Sequence, residues 1–478
     1  MSPKLIRDIS ASSAQVLFNQ VAGAAIFLIT SAWLSKETYG EFNWSLAVMT
    51  FVISILSLRL EQIIVRKVAA REDPSKLLTL FTGHVVVGGL LFYGVLLAGY
   101  FIFPQFFKQH NILLILAISQ LLSFFSSPSK QIANGKEDFR LLAWMSSIAN
   151  IIRVCWLLII VFTSLLTLRQ LLIIYIISSL AELIFCLLLT GSRLHIKVRF
   201  HYQLKDYLLL IRESLPQAAG VFLNASIARI DWILLGLFSG NVITAEYSFA
   251  YRVFELSPLP LLILAPILLS RFSRFFSTHS PEKLLDHKKE LGLLIRLEMI
   301  AATFIPLVLN IIWAPLMDGL TRHKYGEVNT INFLLLSFCL PFLYLNNLLW
   351  SVHFAQNHLK QILRISFLTF SIILIGDLFF IPLYNAKGAA AVYLAATVVE
   401  YLNYMRTSFL SRVKETWLSP FVCMLIAGIC GFLANYLSAA LPIRLITSIL
   451  LFFLLLLATK QLHKSDIKLI VKLFRSGK

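Results

Sequence analysis

The chain has 478 residues, 58% of them hydrophobic and 14% charged, against roughly 45–50% and about 25% in soluble domains. That composition excludes a soluble fold, because about 20 apolar residues per crossing of about 30 Å of hydrocarbon would absorb nearly the whole apolar content in about fourteen spans. The net charge of +18 is set in short clusters between apolar runs, not in one basic domain, which suits topology signals and anionic headgroups and argues against a nucleic-acid binder.

In chain order, breaks rich in charge, Pro, Gly or Asn predict spans at 14–34, 42–60, 77–103, 111–127, 140–163, 168–190, 213–238, 246–270, 291–313, 331–355, 362–384, 388–406, 418–438 and 443–460. The first run is too long for a signal-peptide core, carries Gln15, Asn19 and Gln20 and has no convincing cleavage site, so it reads as a retained span. With the N-terminus placed inside, 32 of the 42 Lys and Arg fall on the cytoplasmic side, 7 outside and 3 within spans. One missed helix would invert every later loop and destroy that asymmetry, so both termini are expected in the cytoplasm. The tail at 461–478 places Ile467, Leu469, Ile470, Leu473 and Phe474 among Lys468, Lys472 and Arg475, the pattern of a basic interfacial helix on anionic lipid. Five cysteines, all within apolar runs and without paired spacing, read as small buried hydrophobes.

An internal echo is present. The first span leads through SAWLSKETYGEFNWS (31–45) into the second, and the seventh leads through LLGLFSGNVITAEYSFA (234–250) into the eighth, each passing an acidic and aromatic pair, Glu41-Phe42 and Glu246-Tyr247. A repeat of six spans relates them, as in transporters with two lobes about a midplane cavity. Segments RIDWILLGLFSG (229–240), AEYSFAYRVFE (245–255), LSKETYGEFNWSLAV (34–48), LEQIIVRKVA (60–69), IPLYNAKGAAAVYLAA (381–396) and KYGEVN (324–329) resemble the polysaccharide-transporter branch of the multidrug/oligosaccharidyl-lipid/polysaccharide flippase superfamily. The resemblance runs from about residue 5 to 460. It implies an all-α polytopic membrane protein of about 14 helices, with an N-terminal lobe at 1–190, a second lobe at 191–412, two added helices at 413–460 and the tail. It further implies an alternating-access flippase carrying lipid-linked sugars, such as undecaprenyl-diphosphate oligosaccharides, to the outer leaflet of a bacterial inner membrane, beside a polysaccharide polymerase machinery.

Ionisable groups at membrane depth cost several kcal/mol unless paired or hydrated. Within the expected spans they are Arg153, Glu182, Arg229, Asp231, Arg252, Glu255, Asp377 and Glu400. Counting from the turn between the seventh and eighth spans, Asp231 matches Arg252 in depth and Arg229 matches Glu255, and Arg252 and Glu255 are also i,i+3 neighbours. These groups either pin the hairpin or meet an acidic sugar or diphosphate. Arg153 and Glu182, near mid-depth on the fifth and sixth spans, are expected either to pair with each other or to contact substrate. Asp377 and Glu400 lack a basic partner on their own hairpin and are candidates for ion coupling, or for a solvated lining. Arg59, Arg66 and Lys67, at the cytoplasmic end of the second span, are placed either to greet an arriving headgroup or to serve as ordinary topology charges. Asn19, Gln20, Asn224, Asn346 and Asn347 offer hydrogen bonds to sugar or to neighbouring helices.

ANGKED (133–138) lacks the upstream glycine and following Ser or Thr of a phosphate loop, and no HExxH, GxSxG or histidine cluster occurs. No cofactor or metal is expected. A cation-coupled multidrug or metabolite antiporter is the main alternative, and a polysaccharide polymerase or ligase a lesser one, since the external loops are too short to fold over a glycan. The topology makes a direct prediction. In a cysteine-free background, a membrane-impermeant maleimide added to intact cells should label cysteines placed at Lys108 and Arg322 and leave those placed at Arg71 and Arg364 unlabelled.

Overall fold

The computed structural model describes residues 3–163, 166–196, 203–276, 283, 288–436 and 440–463, with side chains from residue 15 onward except 262–264, 266, 267 and 270. The basic tail expected at 461–478 lies almost entirely outside them. The described residues form helices and no strands. They are α1 (Pro3–Trp33), α2 (Lys36–Leu56), α3 (Leu60–Ala69), α4 (Pro74–Ile102), α5 (Pro104–Gln109), α6 (Ile112–Gly135), α7 (Phe139–Thr163), α8 (Leu168–Ser192), α9 (Leu204–Phe238), α10 (Gly240–Leu256), α11 (Leu259–Phe276), α12 (Lys288–Thr321), α13 (Thr330–Ala355), α14 (Leu359–Thr407), α15 (Lys414–Tyr436) and α16 (Leu441–Ala458). Twelve of these are long and apolar enough to cross a membrane. Their outer faces carry large apolar side chains that water would not tolerate, such as Phe101, Phe162 and Phe432, exposed by 79%, 84% and 69%.

The difference from fourteen spans has two sources. α14 holds two of the expected crossings. A Cβ on Gly388 would lie 2.4 Å from the Phe380 carbonyl oxygen, and one on Gly376 would lie 2.6 Å from Val392 Cγ1, so its two arms run antiparallel in contact. Asn385, with φ at 52°, makes the reversal, a conformation that asparagine tolerates better than most residues. The eighth crossing is divided between α10 and α11 by a break at Ser257-Pro258. The second crossing is covered by α2, which is long enough to span by itself, and α3 follows it after a break at residues 57–59.

Packing divides the chain into two compact units, Met1–Ala245 and Glu246–Lys478. In the first, α6 packs on α8, α4, α3 and α2, α1 packs on α7, and α9 packs along α2 and α3. α2 lies close to α9 and to the first turn of α10 because small residues stand where backbones meet. A Cβ on Gly40 would fall 1.8 Å from the Asn241 carbonyl oxygen, and one on Gly236 would fall 1.9 Å from Trp44 Cδ1. Trp44 fills that slot, donates Nε1–H to the Ile233 carbonyl at 3.0 Å and stacks on His110 at 4.0 Å. Burial beneath the indole pushes the His110 imidazole below its usual pKa. Glu41, beside this contact, accepts the Ile112 N–H at 3.0 Å and so caps α6.

In the second unit, α13 packs on α14, α12 and α11, and α15 lies between α12 and α16. The KYGEVN turn is clamped from both sides. Asp318 accepts the N–H groups of Gly326 and Glu327 at 2.7 and 3.1 Å. Trp313 donates to the Gly326 carbonyl at 2.7 Å and stacks on Phe333 at 3.9 Å. Gly326 is required there, because a Cβ would meet the Ala314 carbonyl oxygen at 2.4 Å.

If close approach is what these glycines supply, Gly40→Ala and Gly388→Ala should each destabilise the protein by about 1–3 kcal/mol. Gly94→Ala, where a methyl group meets nothing within 4 Å, should be neutral or slightly stabilising. Thermal unfolding in detergent checks the contrast.

Candidate functional site

The first unit contains a continuous polar stripe inside its apolar packing. On α6, Ser119, Ser123, Ser126, Ser127 and Lys130 recur at three- and four-residue spacing and share one face. On α8, Tyr175, Ser178, Ser179 and Glu182 do the same, and α6 and α8 pack against each other. Ser119 Oγ meets Ser179 Oγ at 3.0 Å, Ser123 Oγ bonds to Ser179 Oγ at 3.1 Å, and Ser123 donates to the Glu182 carboxylate at 2.8 Å. Lys130 closes the lower end by pairing with Glu182, whose side chain is only 6% exposed.

Arg153 reaches into this stripe from α7. Its Nε donates to Ser178 Oγ at 2.8 Å and one terminal nitrogen donates to Ser179 Oγ at 2.9 Å. Its guanidinium carbon lies 4.4 Å from the centre of the Tyr175 ring. The direct Arg153–Glu182 pair, one of the two arrangements expected from the sequence, is therefore replaced. Lys130 takes the carboxylate, and Arg153 is held by neutral hydroxyls and a ring face. Lys130 escaped the sequence reading because the fourth span was ended at residue 127, before Pro128. The helix passes through that proline to Gly135, which carries Lys130 into the bundle. The available signal was the serine spacing, which continues across the proline. Asn150 donates to Asn19 at 3.0 Å and joins α7 to α1, so Asn19 acts between helices.

Arg229 and Asp231 lie on α9. Asp231 is 1% exposed and accepts the Trp232 N–H at 2.8 Å, while Arg229 donates to the Ala228 carbonyl at 2.8 Å and lies 4.9 Å from the Trp232 ring centre. Near the break between α2 and α3, Arg66 and Lys67 bond to Glu213 of α9 at 2.9 and 3.2 Å, and Lys67 also bonds to Glu72 at 3.2 Å. Burial works against the Lys67 charge, but these carboxylates outweigh it and raise its pKa. Two of the three cations expected to greet a headgroup are thus engaged by carboxylates. Arg59, in the left-handed region at φ 63°, has no side-chain bond of this kind among the described residues.

In the second unit, Arg252 and Glu255 form the expected i,i+3 pair at 3.4 Å on α10. Asp377 is fully buried on the first arm of α14. Glu400, on the second arm, accepts from Asn346 Nδ2 at 3.3 Å, and the same amide donates to the Thr397 carbonyl at 3.2 Å. A further buried carboxyl, Glu298 on α12, is 2% exposed. It stands close to Arg296 and the charged segment that precedes α12, and so reads from sequence as the cytoplasmic edge of a span.

An assembly that is all-helical among the described residues, with twelve helices long and apolar enough to cross a membrane, defines a polytopic membrane protein. The chain belongs to the polysaccharide biosynthesis protein family, whose sequence profile matches residues 5–276. It is similar in fold to the lipid II flippase MurJ in an inward closed conformation, with TM-score 0.71 and 14% identity over 93% of this chain and 97% of that one. An inward-facing multidrug-resistance MATE transporter of the MOP superfamily matches with TM-score 0.66 and 14% identity over 86% of this chain and 99% of that one. A MOP superfamily transporter from Pyrococcus furiosus, described by a reversed polarity of its binding pocket, matches with TM-score 0.57 and 12% identity over 86% and 95%. No curated protein sequence matches significantly.

Breaking a buried ion pair from one side leaves a lone charge, whereas removing both charges does not. Lys130→Met and Glu182→Leu should therefore each cost about 3–5 kcal/mol, and the double variant should be more stable than either. An order in which the double variant melts lowest would contradict the pairing.

Proposed function

We propose that the protein is a flippase that moves a lipid-linked oligosaccharide of the undecaprenyl-diphosphate type from the cytoplasmic to the outer leaflet of a bacterial inner membrane, for surface polysaccharide or O-antigen assembly. The observation that carries this reading is the uncompensated charge of Arg153. Its hydrogen bonds go to the Ser178 and Ser179 hydroxyls, and the one carboxylate of the stripe is taken by Lys130. A guanidinium held in place by neutral groups keeps its full attraction for an anion, and its planar fork suits phosphate oxygens. The serines around it are suited to hydroxyl-rich headgroups. Membership of a polysaccharide biosynthesis family supports the same substrate class, as does the likeness to a lipid II flippase.

In this reading the transporter alternates access with both termini in the cytoplasm and hands its cargo to a polysaccharide polymerase outside. Asp377 and Glu400 are the coupling-ion candidates, carboxylates of the second unit of which the first is fully buried and the second half-buried. Arg59 meets the headgroup on arrival.

The test is transfer of a fluorescent polyprenyl-diphosphate oligosaccharide across proteoliposome membranes. Arg153→Ala should lose about 1.5–3 kcal/mol of charge-assisted binding, seen as a tenfold or greater fall in flipping, and Arg153→Lys should retain part of the rate. Wild-type protein that exports organic cations, or leaves the diphosphate lipid where it started, would overturn the proposal in favour of a multidrug antiporter.

A further inference from the structure

In the second unit α12, α13 and α15 enclose a cleft of about 330 Å³, within the size range of small-molecule sites, about 300–1,000 Å³. The space is made by missing side chains on one face of α15, at Ala427, Gly428 and Gly431. A Cβ on Gly428 would meet nothing within 4 Å, and one on Gly431 would reach Leu307 at 3.6 Å. Phe338 and Phe432, both exposed, form the outer edge, so the cleft opens sideways toward hydrocarbon. A groove continues from it along α15 over Phe421 and Leu425. Among the described residues, none that lines the cleft is charged.

The polar groups of the cleft are one-sided. Asn310 spends its two side-chain N–H bonds on the Pro306 carbonyl at 2.7 Å and on Ser337 Oγ at 2.9 Å. Ser337 donates in turn to the Phe333 carbonyl at 2.7 Å, Thr303 to the Met299 carbonyl at 2.8 Å and Thr330 to the Glu327 carbonyl at 3.0 Å. What remains is acceptor capacity, on Asn310 Oδ1 and on the hydroxyl oxygens. Two prolines add to it. Pro315 and Pro341 lack the N–H groups that would bond to the carbonyls of Ile311 and Ser337, both lining residues. Asn435, exposed at the end where α13 starts and α15 finishes, is the lining side chain that keeps N–H groups to spare.

We propose that this cleft binds an uncharged lipid alcohol drawn from the leaflet at the Asn435 end, with its chain over Gly428 and its O–H donated to the acceptors around Asn310. The site belongs to the second unit and shares no residue with the Lys130–Glu182–Arg153 stripe.

Charge and hydrogen-bond complementarity select that occupant. Phosphate, carboxylate and ammonium heads would be taken out of water with no counter-ion beside them. Ether, ester and ketone oxygens only accept, and they would face further acceptors. An alcohol brings the donor that the inner cleft lacks, and its chain finds apolar walls in Leu307, Leu334 and Met424. Water supplies the same proton but gains nothing from those walls, and ordered water needs several polar partners at once.

Photolabelling of the full-length protein in lipid nanodiscs tests this, with hexadecanol that carries a photoactivatable diazirine in its chain. No diphosphate lipid is present, so the outcome is separate from that of the flippase reading. Light should attach the probe to peptides covering residues 303–311, 330–341 and 424–435. Unlabelled hexadecanol should displace it at about one-tenth of the concentration that its methyl ether requires, the preference expected from one hydrogen bond to a buried acceptor. Palmitate, with the same chain on a carboxylate, should compete no better than the ether. Gly428→Leu, whose side chain enters open space, should abolish the displaceable labelling. Ser337→Ala returns one Asn310 N–H to the cleft, so the ether should then compete about as well as the alcohol. A wild-type cleft that does not distinguish alcohol from ether, or labelling that hexadecanol cannot displace, overturns the proposal even if a variant fails to fold. Labelling that Gly428→Leu leaves unchanged overturns it as well.

Discussion

Inside hydrocarbon a backbone carbonyl or a charged side chain has no water to turn to, so every one of them must find a partner within the protein or remain costly. The first unit satisfies this constraint by running polar groups in register along helices that are otherwise apolar. The serines of α6 and α8 face each other, and the charges of Lys130, Glu182 and Arg153 are threaded among them. At the break after α2 the same constraint is met by His84, which bonds to a carbonyl that the helix itself no longer uses. Serines and imidazole are neutral, so they can satisfy polar groups without adding a charge that would itself need compensation.

The second unit applies the constraint differently. Glu400 is half-buried with the Asn346 amide for company, and the cations Arg252 and Arg296 are spent on the nearby carboxylates Glu255 and Glu415. Charge is thus arranged differently in the two units, with Lys130, Glu182 and Arg153 threaded among hydroxyls in the first and Glu298 and Asp377 buried in the second.

Much of this was legible in the sequence. Apolar run length located the long apolar helices, including the two expected crossings that the structure joins into one element at Asn385, while the eighth expected crossing is split at Ser257. Hydropathy reports where hydrocarbon begins and ends, which is why it succeeds here. It does not report which carboxylate a cation will choose, because that depends on helix rotation and on neighbours far apart in the chain. Arg153 and Glu182 do join one serine stripe, yet a lysine hidden behind a tolerated proline took the pairing. Glu298 was overlooked for a related reason, since a charge one or two turns inside a span looks the same in sequence as one at its rim. The close approaches at Gly40 and Gly236 were equally silent, because a glycine in a membrane helix is common and only its neighbour shows its use.

The reversal at Asn385 leaves almost no connecting segment between two crossings. Helix lies against helix from the Gly376–Val392 level to the turn, so the connection is no longer than the turn itself. A protease, an antibody or an inserted reporter would find no slack chain to engage there. The hairpin is in effect a single rigid pin, and alterations meant to preserve the fold are better carried by longer connections elsewhere.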